Sequence, residues 1–314
     1  MTQMIHGAAE LGVADQLAAG ERPVEELAEA CGAEPDGLFR LLRGLASLGI
    51  FQETAPRQFA LTPLAEVLRS DHPHSMRMVA RMLGEEHYLG WADLLHSVRS
   101  GEGSFRHRYG MSVFEWYQQN SVRGAIFDGA MGDHSRAQID ALLAAYDCSG
   151  ITHLVDVGGG RGLLLKVLAA YTAQGGTVFD QPQVVAPVVV PPELAGRLSV
   201  QGGDFFAAVP AGADAYLLKH INHDWGDDAC LRILEPIRAA MAPGARVLLV
   251  EQVIPPGNAP FPGKLLDLNM LVMAEGGRER TPAEYASLLG KAGLSLQRIV
   301  STPSPVSVVE AVAA

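Results

Sequence analysis

The nine residues Leu-Val-Asp-Val-Gly-Gly-Gly-Arg-Gly at 154–162 constrain this chain more than any other stretch. A short apolar run ends in an acid, turns through consecutive glycines with a further one after Arg161, and is followed at once by the helix formers of 163–170. That order predicts a buried strand, a tight turn and a helix start. Glycine admits positive φ and lets a ligand approach the backbone closely. The spacing Gly158-x-Gly160-x-Gly162 is tighter than the dinucleotide fingerprint, which sets a pyrophosphate on the helix N-terminus. It suits a nucleoside ligand without a pyrophosphate, such as S-adenosylmethionine, with Asp156, Gly158 and Gly160 around it. A purely structural turn is the plainer alternative.

After that turn the pattern alternates. Strands are expected at 177–180, 198–201, 213–218, 246–251, 295–300 and 306–312, with helices at 227–241 and 281–291. Strands separated by helices imply an α/β fold with a mostly parallel sheet, and such sheets bind ligands beyond the carboxyl ends of their strands. Asp156, Asp180, Asp204, Lys219, His220 and Glu251 all fall at or just after expected strand ends, so they converge on one edge. Asp180, at the end of the second strand, is placed to accept ribose hydroxyls. Asp204 and Phe205 pair an acceptor for an amino group with an aromatic face. Lys219 can hold a carboxylate as a point charge. Between Asp180 and Asp204 stand Pro182, Pro187, Pro191 and Pro192, which should break the usual crossover helix.

The sharpest cluster is Lys-His-Ile-Asn-His-Asp-Trp at 219–225. Two histidines and an acid could hold a metal, but no further histidine or cysteine lies near in sequence, and no metal is expected. The alternative makes His223 a general base. An unperturbed imidazole, with a pKa of ~6.5, suits removal of a phenolic proton near neutral pH. Glu251, at the next strand end, or Glu279, in a later loop, could fix its tautomer.

Residues 1–70 read as helices followed by a hairpin at 49–52 and 58–61, the order of a winged helix-turn-helix. Residues 21–70 hold eight acids against five arginines, an arrangement that would repel phosphate. The formal net charge of −11 points the same way. Leu38, Leu41, Leu42 and Leu45 are read as packing, and dimerisation or scaffolding is preferred over DNA binding. Residues 73–145 are helical with breaks and rich in aromatic and Met side chains, mostly core, some of which could line a pocket for a flat apolar ligand. Three widely spaced cysteines fit neither a disulfide framework nor a zinc site. With no secretion signal and no apolar run of membrane-spanning length, a reducing cytoplasm is expected.

These stretches together resemble the plant-type small-molecule O-methyltransferases, the caffeate, flavonoid and hydroxyindole enzymes and their bacterial natural-product relatives. The resemblance rests on 154–162, 178–184, 202–206, 218–225, 250–255 and 267–285, Lys-x-x-x-His-Asp-Trp with Gly-Gly-Arg-Glu-Arg-Thr downstream being the most specific pair. It implies a Rossmann-like seven-stranded methyltransferase domain, expected at 101–314, after an all-α winged-helix dimerisation domain with its hairpin, expected at 1–100. It implies S-adenosylmethionine, no metal and an intertwined homodimer. Carried over by position, Gly158, Asp180, Asp204, Phe205 and Lys219 would bind the cofactor. His223 would be the base with Glu251 and Glu279 beside it. Phe127, Met131, His134, Asp224, Met270 and Ala274 would meet an aromatic substrate. The alternatives are a relative with altered chemistry, such as hydroxylation of a polycyclic substrate, and a ligand-responsive winged-helix regulator.

Overall fold

Alternate residues of the strands in the second half are apolar on both faces, which dictates a sheet covered on both sides. The computed structural model describes residues 1–160, 163–171 and 175–314, the side chains of 134, 136, 137 and 163–166 excepted. It holds ten strands among the described residues: β1 Arg22–Pro23, β2 Phe51–Ala55, β3 Gln58–Leu61, β4 His153–Val157, β5 Gly175–Asp180, β6 Leu198–Gly202, β7 Ala215–Lys219, β8 Arg246–Glu251, β9 Leu294–Ser301 and β10 Ser307–Ala313.

Seven of them form one sheet in the order β6-β5-β4-β7-β8-β10-β9. The first five are parallel, and β10 runs antiparallel between β8 and β9. One face packs Leu154, Val178, Leu217, Leu248 and Val250 with the helix end at Ile139 and Leu142. The other packs Val155, Phe179, Tyr216, Leu218 and Leu249 against the helices Asp227–Ala240 and Pro282–Lys291. The order of strands reverses at β4, so β5 and β7 flank it and the loops after all three open on the same edge. That is where a doubly wound sheet takes its ligand.

The chain divides into two compact units, Met1–Ala92 with Phe114–His134, and Asp93–Val113 with Ser135–Ala314. The chain passes between these units three times, and the helix Ser121–Ala145 supplies residues to both. Periodicity identifies a helix but not the unit it packs with, so this interleaving has no signature in the sequence.

The first unit carries the expected hairpin, β2 with β3, and β1 pairs on the far side of β3. It is therefore helical with a three-stranded ribbon rather than all-α. Gly32, at φ +64°, ends the helix Val24–Cys31, and the Glu34 carboxylate caps the next, Pro35–Ala46, by accepting from Asp36 and Gly37 N–H. Leu38, Leu42 and Leu45 are buried with Val24, Leu27, Phe51 and Phe59. The helix that would read a groove in a DNA-binding protein thus spends that leucine stripe on its own core. The proline-rich crossover between β5 and β6 is reduced to one helical turn, Pro182–Val185, and a 3-10 turn, Pro192–Leu194.

Candidate active site

Asp156 sits in β4, Asp180 and Lys219 are the last residues of β5 and β7, and Glu251 is the last of β8. The glycine turn after β4 is built to lie close to them. Gly158 has φ +69°, and a Cβ there would stand 2.4 Å from Ile221 Cδ1 and 3.8 Å from the Phe205 ring. Gly160 has φ +54°, with open space on its Cβ side. Its N–H donates to Asp180 Oδ2 at 3.0 Å, while Asp180 Oδ1 accepts from Gln181 N–H at 2.7 Å. Asp204 is exposed and its Oδ1 accepts from Phe206 N–H at 2.9 Å, so one oxygen shapes the turn that presents Phe205. Lys219 is partly buried. Burial pulls its ammonium down to about 8, against the raising fields of Asp156, Glu251 and Asp224.

Past Lys219 the chain turns through His220, at φ +52°, into a 3-10 turn, Asn222–Asp224. His223 is buried there with its Nδ1 2.7 Å from Glu279 Oε1. Its Nε2 lies 3.6 Å from Asp224 Oδ1, and its Nδ1 lies 4.0 Å from Glu251 Oε2. Of the two acids that could have fixed the imidazole, the structure selects Glu279. Glu251 instead accepts from Asn222 N–H through Oε1 at 3.0 Å, holding the turn that carries His223.

The electrostatics differ from the sequence expectation. Burial alone would lower the His223 pKa. Asp224, Glu251 and Glu279 outweigh it and push the imidazole up to about 10, not the ordinary histidine value. Glu251, with no exposure, is pushed up to about 7 by burial, against the His223 charge. Asp224 is pushed up to about 6 by burial, again opposed by His223. At rest the cluster carries a proton on His223. His220, His223 and Glu251 also bring ligand-type atoms within 4.8 Å of one another. His223 Nδ1 itself is engaged with Glu279.

Three residues that hold this site were not singled out from sequence. Arg280 is fully buried and donates to the carbonyls of Asn222 and Trp225, both at 2.9 Å, and to Asp227 Oδ1 at 2.8 Å. Asp267 Oδ1 accepts from Glu279 N–H at 2.9 Å. Gln138 Oε1 lies 3.0 Å from His220 Nε2. Arg280 lies in the Gly-Gly-Arg-Glu-Arg-Thr motif, but an Arg in a polar loop reads as a solvated charge and an Asp on a helix as a surface acid, so neither pattern showed the structural role. The expected substrate residues divide between the units. Phe127, stacked on Tyr117 at 4.6 Å, and exposed Met131 belong to the first; Asp224 and buried Met270 and Ala274 belong to the second. The side chain of His134 lies outside the described residues.

The glycine turn, an acid facing it from β5, an aromatic ring beside it and a cation at the end of β7 fit a nucleoside cofactor bearing a carboxylate. Residues 91–295 match the O-methyltransferase domain, and residues 1–71 match the O-methyltransferase dimerisation domain. The chain belongs to the O-methyltransferase family. The phenazine O-methyltransferase PhzM of Lysobacter antibioticus is 41% identical over 315 residues, covering 99% of this chain and 92% of that protein. The crystal structure of LaPhzM matches with a TM-score of 0.94 and 41% identity, covering 100% of this chain and 95% of the other. NcsB1, an O-methyltransferase from neocarzinostatin biosynthesis solved with S-adenosylmethionine and 2-hydroxy-5-methyl naphthoic acid, matches with a TM-score of 0.85 and 36% identity, covering 100% and 96%. This O-methyltransferase uses S-adenosylmethionine as its methyl donor. Among the described residues no helix is long and apolar enough to cross a membrane.

Proposed function

We propose that this O-methyltransferase methylates a hydroxyl of an aromatic, phenolic or polycyclic small molecule in secondary metabolism, with His223 as the general base, as a homodimer formed through its first unit. The observation that carries the base assignment is the buried His223–Glu279 pair at 2.7 Å, which engages Nδ1 and leaves Nε2 as the atom that can take a proton. Gly158, Gly160, Asp156, Asp180, Asp204, Phe205 and Lys219 are the residues proposed to hold the cofactor. When bound, S-adenosylmethionine supplies an electrophilic methyl group. His223 Nε2 takes the hydroxyl proton, and the resulting imidazolium is balanced by Glu279 on Nδ1 and by Asp224 and Glu251 nearby. Positioning and exclusion of water supply the rest of the acceleration.

Because the resting imidazole already carries a proton, the base form must first be generated. The rate of methyl transfer is therefore expected to keep rising with pH above 7, where an unperturbed histidine would have levelled off. The reading is tested by incubating the protein with methyl-labelled S-adenosylmethionine and a panel of phenols, catechols, naphthols and hydroxylated phenazines, with products located by mass spectrometry. Label on an oxygen supports it. Label on nitrogen or carbon, or conversion of an acceptor without label, points to altered chemistry.

A further inference from the structure

His220 adjoins the base without belonging to the His223–Glu279 pair. Its φ of +52° lies in the left-handed region, where histidine is rare but more frequent than bulkier residues. The turn is held by its own N–H, which donates to Val250 O at 3.1 Å. The side chain is 10% exposed, and its ring lies 4.8 Å from that of His223 at 33°. Nε2 meets Gln138 Oε1 at 3.0 Å, from the helix Ser121–Ala145. Nδ1 stands 3.5 Å from Glu251 Oε2, within ion-pair range but outside hydrogen-bonding geometry. The other charged groups around this pair are His223 and Asp224 on the 3-10 turn, Glu279 and Arg280 on the later loop, and Lys219 and Asp156 at the strand ends.

A neutral imidazole that donates from Nε2 to the Gln138 oxygen would turn its Nδ1 lone pair toward a buried carboxylate, which is repulsive. A proton on Nδ1 removes that repulsion. With the Gln138 amide turned the other way, Nε2 accepts and Nδ1 again carries the proton. Both arrangements put a proton between Nδ1 and Oε2, and Glu251 Oε2 is the oxygen that also faces His223. We propose that His220 is a positioning residue for the base, carrying on Nδ1 a proton that faces Glu251 Oε2 and so fixing the orientation and charge of the carboxylate that His223 senses. The proton stays between these two groups; no bond to substrate or cofactor is made.

The inference rests on His223 as the base, but its test does not require an acceptor. Imidazole nitrogen NMR on the full-length histidine-labelled protein at about pH 8, above the value of about 7 to which burial raises Glu251, is expected to show His220 with a protonated Nδ1, and a His223 titration that moves when His220 is replaced by leucine. His220→Asn, which tolerates the left-handed backbone and presents an amide N–H near the Nδ1 position, is expected to return the His223 titration toward native. Once an acceptor is in hand, His220→Leu should lower kcat about tenfold with KM for S-adenosylmethionine unchanged, and His220→Asn should recover most of it, since misorienting a general base forfeits part of its contribution. A bare Nδ1 on native His220 would overturn the proposal, and so would a His223 titration indifferent to both variants. Should the leucine variant fail to fold, Glu251→Gln decides: the His220 signals must shift if the two groups share a proton, and unchanged signals overturn it.

Discussion

A buried imidazole among three carboxylates ties the stability of the protein to pH in a definite direction. His223 holds its proton up to about 10 in the folded chain and to ~6.5 when unfolded. Between those values the folded state binds the extra proton, so stability falls as pH rises. Glu251 and Asp224, raised to about 7 and about 6, act with the same sign at lower pH. Lys219 is depressed to about 8 and acts with the opposite sign, but only above that value. The window that isolates His223 therefore runs from the Glu251 value to the Lys219 value, about 7 to 8. The melting temperature of the native protein should decline across it, and that of His223→Gln should decline less; equal slopes would show that His223 does not carry the charge assigned to it. How far single residues could be read in advance varied for a physical reason. Asp156, Asp180, Lys219 and Glu251 were legible because a polar residue ending an apolar strand has one place to go. The choice between Glu251 and Glu279 was not, because each reaches His223 through a tertiary contact that no local pattern encodes.

Elements show the same division. The parallel strands and the broken crossover follow from apolar runs and from four prolines within 182–192, and the structure has both. The clamp on the 222–224 turn follows from none of this. Arg280 reaches back 58 positions to Asn222 O, and Arg278 N–H donates to His223 O at 2.8 Å, so two segments far apart in sequence share one set of hydrogen bonds. Arg280→Met keeps the bulk but removes the charged donor from the carbonyls of Asn222 and Trp225, which keep only the Cys230 thiol and, at Asn222, the Trp225 N–H, and it takes the ion-pair partner from Asp227. It should cost about 1.5–3 kcal/mol in denaturant unfolding, the usual worth of charge-assisted hydrogen bonds, and should lower kcat as the turn loosens. A native-like midpoint would contradict the clamp. On the other side of the site, Gly158→Ala forces a side chain into positive φ and into Ile221. It should destabilise by about 1–3 kcal/mol and weaken S-adenosylhomocysteine binding in calorimetry, whereas unchanged affinity would remove the glycine turn from the cofactor site.

The chain forms two units and passes between them three times; residues 1–71, within the first, match a dimerisation domain, and His223 with the residues proposed to hold the cofactor lies in the second. The acidic balance and leucine packing of the first unit were legible from composition and periodicity; the exchange of segments between units was not, because helical spacing says nothing of partner. Sedimentation should give a species of twice the chain mass, and a monomer at micromolar concentration would contradict the homodimer. The proposed chemistry depends on His223 above all, so the most direct measurement pairs native protein with His223→Gln. Both should bind S-adenosylhomocysteine with the same affinity, while methyl transfer to the acceptor falls by about 10²–10⁴-fold in the variant, the usual contribution of a general base. Transfer at the native rate by a variant that binds the cofactor normally would contradict it.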